Sequence, residues 1–446
     1  METTLLQVAA IAIATLLIVP WLKLPRTSIL RLLPQHAPGV EALQFFMDRT
    51  RFVRQSIDRS SSGHFRFRMG RESVVVVSGE EGRKFILQTK GLDLAQGYAT
   101  LLSTVPSITS ETDQGQLPAF WQWCSVKISS LVQASRLESH LPSLLSDADA
   151  CITRLSSCST AAISTFDPFE EPYRLIYQFT MRLMGTHEIA ESPNLLSQSL
   201  GLFETIARST SPVRIVYPYL PTPAYLQRLW AGIGLYRMIK KIVVERAESG
   251  QRKQDALQAA VDEQKTTAET VAFISAAVFA GNLTNAYIVA WTLVYLASDL
   301  VWQERVREEV IAVLASRRTR SEQSDLEIFS SFTLHQWEQY FPLLEVSQRE
   351  TIRLQHVGCF FRRNVSGKEL PIGTSGESVP KDAFVVYPLD DVHLNPLLYE
   401  EVLLWNPQRF LPTNERCMAR ESHSYVGWGG GKHVCPGMRV CFLILI

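Results

Sequence analysis

A short segment near residue 430 holds the residues whose types and spacing could do chemistry. It reads Trp428-Gly429-Gly430-Gly431-Lys432-His433-Val434-Cys435-Pro436-Gly437. Three consecutive glycines allow the backbone to approach a flat object closely. A cysteine that starts a helix beside Lys432 and His433 has reason to be a thiolate, because the helix N-terminus and the basic side chains favour the anion. We therefore expect Cys435 to act as a metal ligand or as a nucleophile.

Two other chemistries have less support from the residues alone. A phosphate-binding loop would follow the pattern GxxxxGK[ST], and the chain has no such pattern. A cysteine nucleophile would need a histidine that activates it, and the sequence identifies no such partner for Cys435. Both alternatives stay open at this point, and metal ligation is the better supported hypothesis.

A pair of opposite charges lies upstream, at Glu350 and Arg353. Residues three apart lie on one face of a helix, so the two side chains can form an ion pair. A lone pair with this spacing is most often a solvated surface pair. Its meaning therefore depends on the order of the other motifs.

The longest apolar stretch of the chain, Thr270–Ser298, is interrupted by a small and polar cluster. The cluster consists of Gly281, Asn282, Thr284 and Asn285. A stretch that is apolar on nearly every face predicts a helix through the core. Within it, the hydroxyl of Thr284 can bond to a preceding carbonyl and open the helix locally. The alternative is a core helix that packs through its small residues.

These segments, in this order, resemble the cytochrome P450 family over nearly the whole chain. The haem-binding loop of that family reads roughly FxxGxRxCxG, and Gly431, Cys435 and Gly437 fall in register with it. Trp428 stands where phenylalanine is usual, and His433 stands where arginine is usual. The resemblance implies haem b as the cofactor, with its iron ligated axially by Cys435.

The same resemblance covers the charged pair upstream. Glu350 and Arg353 match the family's ExxR, and Arg409 lies in a PxRF-like element, Asn406-Pro407-Gln408-Arg409-Phe410. In the family these three side chains form a network. The resemblance therefore implies that the network holds the haem loop rigid in this chain.

The interruption of the long helix resembles the family's oxygen-activation motif, [AG]Gx[DE]T[TS]. The resemblance implies that Gly281 lets the helix pass close to the haem and that Thr284 makes room for oxygen and water. Two positions depart from the pattern, since Leu283 replaces the usual acid and Asn285 replaces the usual hydroxyl residue. We therefore expect protons to arrive through water relayed by Thr284, Asn282 or Asn285.

Three basic side chains are candidates for pairing with the haem propionates. Trp123 and Lys127, one helical turn apart, resemble the family's WxxxR, and Lys127 is the first candidate. Arg362 is the second candidate by its position after the ExxR pair, with Arg363 as its alternative. At each position the structural alternative is an ordinary surface cation.

The elements that must position these residues follow from hydrophobic periodicity. His64–Met69 alternates in polarity and Val74–Val77 is a β-branched run, so with Gly70 between them they predict a β-hairpin. Gly79–Gln88 predicts a short amphipathic helix, and Trp337–Gln355 predicts a longer helix. The expected fold class is mainly α with small β-sheets (α+β), and the resemblance implies the cytochrome P450 fold.

The N-terminus predicts a membrane anchor. Thr4–Leu22 is apolar, uncharged and long enough to span a bilayer. Lys23 and Arg26 follow it, so the positive-inside rule keeps the rest of the chain in the cytosol. We expect residues 1–34 to form an anchor and a proline-containing linker. Residues 35–446 should form the haem-thiolate catalytic domain, which microsomal members of the family hold at the endoplasmic reticulum membrane.

Composition narrows the class of function. The 446 residues carry no net charge, and no basic stripe with interleaved aromatic residues occurs, so nucleic-acid binding is not expected. Seven irregularly spaced cysteines argue against a disulfide framework, and no CxxC pair suggests structural zinc. The partners that the resemblance implies are an NADPH–cytochrome P450 reductase, membrane lipid and a hydrophobic small molecule.

The expected function is insertion of one oxygen atom from O2 into a hydrophobic compound, such as a terpenoid, polyketide or indole-derived natural product. The chain ends eleven residues after Cys435, where family members usually continue. The fold is therefore expected to be truncated after the haem-binding loop, without the C-terminal β-hairpin region. Two other functions stay open: a haem-binding protein without turnover, and a haem-dependent rearrangement that needs no reductase.

Overall fold

The structure is a computed structural model, and it describes residues 40–102, 117–157, 167–209, 222–412 and 421–445. The predicted anchor, Thr4–Leu22, and its linker lie outside these residues.

Helices make up most of the described residues. In chain order they are α1 (Val40–Met47), α2 (Arg49–Arg59), α3 (Gly79–Gln88), α4 (Leu94–Leu102), α5 (Leu117–Leu131), α6 (Ala134–Ser157), α7 (Glu171–Met184), α8 (His187–Glu191), α9 (Pro193–Arg208), α10 (Pro223–Ser249), α11 (Ala256–Asp262), α12 (Thr267–Ser298), α13 (Leu300–Arg317), α14 (Asp325–Ser330), α15 (Leu334–Tyr340), α16 (Pro342–Gln355), α17 (Asp390–His393) and α18 (Met438–Leu445), with a 3-10 helix at Pro407–Phe410.

The described strands are short. They are β1 (Phe65–Met69), β2 (Glu72–Val76), β3 (Leu92–Asp93), β4 (Cys359–Asn364), β5 (Leu370–Pro371), β6 (Ser378–Val379), β7 (Phe384–Pro388), β8 (Gly429–Gly430) and β9 (His433–Val434). Many helices with small sheets confirm the predicted fold class.

The largest described sheet has the strand order β1-β2-β7-β4-β3. Strands β1 and β2 form the predicted antiparallel hairpin, and Gly70 in its turn has a positive φ of 61°. Strand β7 runs parallel to β2 and antiparallel to β4. Strand β4 therefore lies inside the sheet, and it carries Arg362 into the interior of the protein.

Helix α12 confirms the predicted core helix. Its first turn is closed by a capping box, in which Thr266 Oγ1 accepts from the N–H of Glu269 and the Glu269 carboxylate accepts from the N–H of Thr266. By length and composition it is the one helix in the described residues that could cross a membrane, yet 56% of its most apolar window is buried inside the protein. It packs against α7, α10, α16 and α18, which is the environment of a core helix.

The predicted single helix Trp337–Gln355 is wrong, because the structure divides it into α15 and α16. Phe341 leaves the helical conformation with φ −123° and ψ 54°, and Pro342 begins the second helix at its first position. Proline has no N–H to donate and clashes with the preceding turn, so it starts a helix readily and interrupts one that is already formed.

The cysteine segment lies where two parts of the core meet. Val426 packs in the cluster formed by the large sheet and α3. Val440 packs in the cluster formed mainly by α7, α9, α10 and α12. The segment between these two valines therefore crosses from the sheet to the helices, and a ligand held there would contact both.

Candidate active site

The cysteine segment forms a small hairpin. Strand β8 pairs antiparallel with β9, and the N–H of Cys435 donates to the carbonyl oxygen of Trp428 at 2.7 Å. This backbone bond extends the hairpin to Cys435 itself. The position of the Cys435 sulfur therefore depends on how the hairpin is held.

Two of the three glycines are required by the hairpin geometry. Gly429 and Gly431 have φ of 76° and 60°, which residues with a side chain rarely adopt. A Cβ at Gly429 would collide with the backbone of His433, and a Cβ at Gly431 would collide with the Leu87 carbonyl of α3. The close approach that the glycines allow is therefore made, at least in part, to the protein's own backbone.

The pKa of the Cys435 thiol depends on burial as well as on nearby charges. We predicted a thiolate from the helix N-terminus, Lys432 and His433. Burial instead raises the pKa of the Cys435 thiol, and the N–H of Gly437 lowers it by less, because desolvation of the sulfur dominates. A coordinated metal ion deprotonates a thiol outright. The sulfur therefore fits a metal ligand better than a free nucleophile.

A metal ion that is bound by protein side chains alone needs several of them at one place. No group of three or more His, Cys, Asp or Glu side chains that could hold a metal ion occurs in the part of the chain that the structure describes. Cys435 would then be a lone protein ligand. A haem would fit such a site, since its iron can be held by a single cysteine thiolate of the protein.

Arg362 is a buried cation beside this hairpin. Its side chain is 1% exposed, its Nη1 donates to the Phe361 carbonyl oxygen at 2.8 Å, and its Nε has no hydrogen-bond partner among the described residues. Burial lowers its pKa. Arg362 is close enough to the hairpin to affect His433, whose pKa is lowered first by burial and then by the charge of Arg362. A buried guanidinium in this state fits an anionic group on a ligand, as a haem propionate would be.

The other two candidates for a propionate contact have different surroundings. Lys127 forms an ion pair with Glu263, which also accepts from Trp123 Nε1 at 2.5 Å. Arg363 is half-buried, lies over the ring of Phe384, and donates from Nε to a backbone carbonyl at 3.3 Å. Lys127 is therefore already neutralised by a carboxylate, and Arg362 is the candidate with an unsatisfied charge.

Glu350, Arg353 and Arg409 lie together in the interior. Arg353 Nε and Nη2 donate to the two carboxylate oxygens of Glu350 at 2.8 and 2.7 Å, and both side chains are fully buried. Arg409 Nε donates to the same carboxylate at 3.3 Å. Arg353 Nη1 also donates to the carbonyl oxygens of His393 and Val402, at 2.9 and 2.8 Å. Glu350 and Arg353 are therefore part of a buried, hydrogen-bonded network and not a solvated surface pair.

His393 connects this network to the cysteine segment, and the sequence analysis missed it. Its ring is fully buried, and its Nε2 accepts from the N–H of Val426 at 3.1 Å. Tyr399 makes a parallel link, because its hydroxyl donates to the Ser424 carbonyl oxygen at 2.7 Å. A single histidine in a short helix has no spacing partner, so no sequence signal could have identified it.

The motif residues of α12 divide between two sides of the helix. Ala280 and Thr284, four positions apart, are exposed, whereas Gly281, Asn282 and Asn285 are buried. Because successive residues turn by about 100°, the buried three point away from the exposed side. Thr284 is thus the member of the predicted relay that stands on the open face.

The environment of Gly281 changes the role expected for it. A Cβ at this position would overlap the terminal methyl group of Met184 and make a tight contact with Thr180, both in α7. The glycine therefore allows α12 to approach α7, and Ala280 is the small residue on the open side. Ala280 and Thr284 are four residues apart, and this spacing is the sequence signal that places both on one face of a helix.

Asn285 makes the bond to a preceding carbonyl that we expected from Thr284. Its Nδ2 donates to the Gly281 carbonyl oxygen at 2.6 Å. Asn285 also reaches the thiol of Cys441 in α18, whose pKa is raised by burial and lowered by this contact. Asn282 is fully buried, and its side chain lies at the Tyr173 hydroxyl of α7, whose pKa is raised by burial and lowered by this contact.

Comparisons with known proteins agree with this arrangement. The family model described as Cytochrome P450 matches residues 43–444. The chain is 28% identical to cytochrome P450 monooxygenase AacuE of Aspergillus aculeatus, over 91% of this chain and 81% of that protein. It is 27% identical to cytochrome P450 monooxygenase nsrP of Aspergillus novofumigatus, over 85% of this chain and 73% of that protein.

A solved structure shares the fold. It is the cyanobacterial CYP120A1 with retinoic acid bound, which superposes with a TM-score of 0.70 and 19% sequence identity, over 91% of this chain and 87% of that chain. Because the family model spans nearly all of the described residues, the chain belongs to the cytochrome P450 family.

Proposed function

We propose that the chain is a haem-thiolate monooxygenase that inserts one oxygen atom from O2 into a hydrophobic small molecule, in the biosynthesis of a specialised metabolite. Cys435 ligates haem b in this proposal. The observation that carries it is Arg362, which is buried beside the hairpin of Cys435 and whose Nε has no hydrogen-bond partner among the described residues. Together the two side chains would offer a ligand for the iron and a partner for an anionic group at one place.

The residues would divide the work as follows. A bound haem would supply oxygen activation, and the Cys435 thiolate would hold its iron and donate electron density to it. Arg362 neutralises a propionate, and the Glu350–Arg353–Arg409 network keeps the cysteine hairpin in place. The protein thereby fixes the orientation of the cofactor, which is the part of such catalysis that belongs to the protein.

Proton delivery would rest on Thr284. Its hydroxyl stands on the open side of α12, and it can hold a water molecule there. Leu283 supplies no carboxylate at this position, so water held by Thr284 would relay the proton. Asn282 and Asn285 point to the other side of the helix and are not part of this path.

The open side of α12 suits one class of substrate. Ala280 and the half-buried Leu283 give the open side of α12 an apolar character, which suits a hydrophobic substrate.

The electrons would come from an NADPH–cytochrome P450 reductase. The anchor predicted at Thr4–Leu22 would bring both proteins to the endoplasmic reticulum membrane.

The full chain, produced in microsomes with the reductase, provides the test. With a panel of hydrophobic compounds and isotopically labelled O2, the proposal expects NADPH-dependent products that contain one labelled oxygen atom. Cys435→Ala is the matched control and should give no such product. Consumption of NADPH without labelled product from any compound, at full haem occupancy, would contradict the proposal.

A haem-dependent rearrangement is the second candidate, and the observation in its favour is Leu283 in place of an acid. This reaction would form an isomer of the substrate without NADPH or the reductase. The same experiment separates the two functions, because an isomer that forms equally well when the reductase is omitted carries no labelled oxygen.

A further inference from the structure

We propose that His393 is a positioning residue for the haem ligand: by accepting the N–H of Val426, its imidazole holds the base of the cysteine hairpin and thereby sets where the Cys435 sulfur stands. The inference rests on the proposed function, since it concerns the ligand of the same haem. It adds a residue that lies outside the ExxR motif and outside the haem-binding loop.

His393 joins two parts of the chain that are far apart in sequence. Its backbone carbonyl accepts from Arg353 Nη1 at 2.9 Å, so its main chain is fixed to the buried charged network. Its ring accepts from the N–H of Val426 at 3.1 Å. One residue therefore transmits the rigidity of α16 to the segment that precedes the cysteine.

The path from Val426 to the cysteine is short and consists of backbone bonds. The Val426 carbonyl oxygen accepts from the N–H of Gly429 at 2.8 Å, which closes the turn into β8. Strand β8 pairs with β9, and the N–H of Cys435 bonds back to Trp428. A displacement of Val426 would therefore shift the strand that carries the ligand.

The ring is held in one orientation. It stacks on Tyr425 with 5.2 Å between ring centroids and 29° between planes, and the Tyr425 hydroxyl donates to the Arg349 carbonyl oxygen at 3.3 Å. Burial, with His356 and Arg353 nearby, lowers the pKa of His393 well below its usual value, so the ring is neutral. Because Nε2 accepts the N–H of Val426, a neutral ring carries its proton on Nδ1, which has no hydrogen-bond partner among the described residues.

The test replaces His393 with two amides of different reach. In His393→Gln the amide oxygen can occupy the position of Nε2, whereas in His393→Asn it reaches only the position of Nδ1. His393→Leu removes the acceptor entirely. Each variant is made in the full chain and loaded with haem, and the ratio of thiolate-ligated to thiolate-displaced ferrous carbonyl is measured per bound haem, together with the reduction potential and Tm.

We expect His393→Gln to keep the wild-type ratio, and His393→Asn and His393→Leu to lower it by about tenfold, as the loss of one buried hydrogen bond implies. Trp302→Phe is the control, because it removes a buried bond from Trp302 Nε1 to Ser347 Oγ (2.7 Å) between α13 and α16. It should lower Tm and leave the ratio unchanged.

The Gln and Asn variants decide the inference even if His393→Leu does not fold. Equal ratios in these two variants, at wild-type reduction potential, would overturn the positioning role. A ratio that merely follows Tm, in Trp302→Phe as well as at His393, would also overturn it. A haem-loaded wild-type protein without any thiolate band would overturn both the inference and the proposed function. A wild-type protein with the band, but with equal ratios in the His393 variants, would overturn the inference alone.

Discussion

Burying the Arg362 guanidinium costs free energy, because the charge leaves water, its Nε gains no hydrogen-bond partner among the described residues, and the Asp93 carboxylate compensates for the burial only in part. The penalty for a buried ion is several kcal/mol even after relaxation. An anionic ligand that offsets it gives this side chain a function. The two neighbouring candidates, Lys127 and Arg363, have no such cost to offset.

Replacing Arg362 should therefore separate folding from ligand binding. In Arg362→Met we expect the free energy of unfolding of the haem-free protein to be unchanged or increased, because an unpaired buried charge is gone. The Kd for haem should rise roughly 10- to 100-fold, from a charge-assisted bond of about 1.5–3 kcal/mol. Chemical denaturation and haem titration by absorbance measure the two quantities.

Arg363→Met is the matched control, since the adjacent Arg363 is half-buried and bonds to the backbone. It should leave the Kd for haem near the wild-type value. Equal losses of haem affinity in both variants would show that the contact is not specific to Arg362.

Some of these residues could be predicted from spacing and others could not. Cys435 follows a distinctive glycine loop, and Glu350 and Arg353 have the three-residue spacing of a helical pair. His393 could not be found, because its contacts to Arg353 and Val426 are 40 and 33 positions away. The effect of burial on the pKa of the Cys435 thiol could not be predicted either, because burial is a tertiary property.

At the scale of elements, the geometry of α12 decides which motif residues can serve the open site. The motif residues from Ala280 to Asn285 cover more than one full turn of the helix, so they cannot all face one ligand. Gly281 packs on α7 and Asn285 on α18. The sequence motif identifies the correct turn of α12. Only the packing against α7 and α18 shows which residues of that turn lie on the exposed side.

Thr284→Ala should uncouple oxygen consumption from product formation while haem is retained, because it removes the hydroxyl on the open side. Asn282→Ala removes an amide on the buried side and should leave the coupling ratio unchanged. The measurement is product formed per NADPH consumed, with peroxide release as a check. Uncoupling in the Asn282 variant alone would move the proton path to the opposite face.

Helix α16 depends on the buried network at its C-terminal half. In Glu350→Gln, the two arginines lose a shared carboxylate in the interior, so we expect the free energy of unfolding to fall by about 3–5 kcal/mol. Glu304→Gln is the control, because Glu304 and Arg307 are exposed and 3.5 Å apart. Such a pair contributes about 0.2–1 kcal/mol. Similar losses in both variants, measured by denaturant unfolding, would contradict the role of the network.

At the scale of the whole molecule, the mainly helical fold with a small sheet could be predicted from periodicity and from the resemblance. The hairpin at Gly70 and the core helix α12 followed from local patterns. The parallel pairing of β2 with β7 could not, because it joins Val74 to Phe384 across more than 300 residues. The break at Phe341, by contrast, has a local signal in the sequence, because Pro342 favours the start of a new helix.

The stability of the fold should depend on pH through His140. Burial, and then His187, lower the pKa of His140 to about 4, from about 6.5 in the unfolded chain. Between these values the unfolded chain binds a proton that the folded protein does not. Its contribution to stability is therefore present above pH 6.5 and is lost as pH falls towards 4, by at most about 1.4 kcal/mol per pH unit.

His140→Gln should weaken this dependence, and unfolding curves between pH 4 and 7 measure it. The exposed His335 provides the control, since His335→Gln replaces a residue on the surface. An unchanged slope in His140→Gln would mean that the pKa of this imidazole is not lowered in the folded protein.

The most direct test of the central claim is the reduced carbon-monoxide difference spectrum of the full chain. The wild-type protein should show the red-shifted Soret band of a thiolate-ligated haem, Cys435→Ala should lack it, and Cys441→Ala should retain it, because Cys441 lies beyond the glycine loop. Absence of the band in the haem-loaded wild-type protein, or its loss in Cys441→Ala alone, would contradict Cys435 as the ligand.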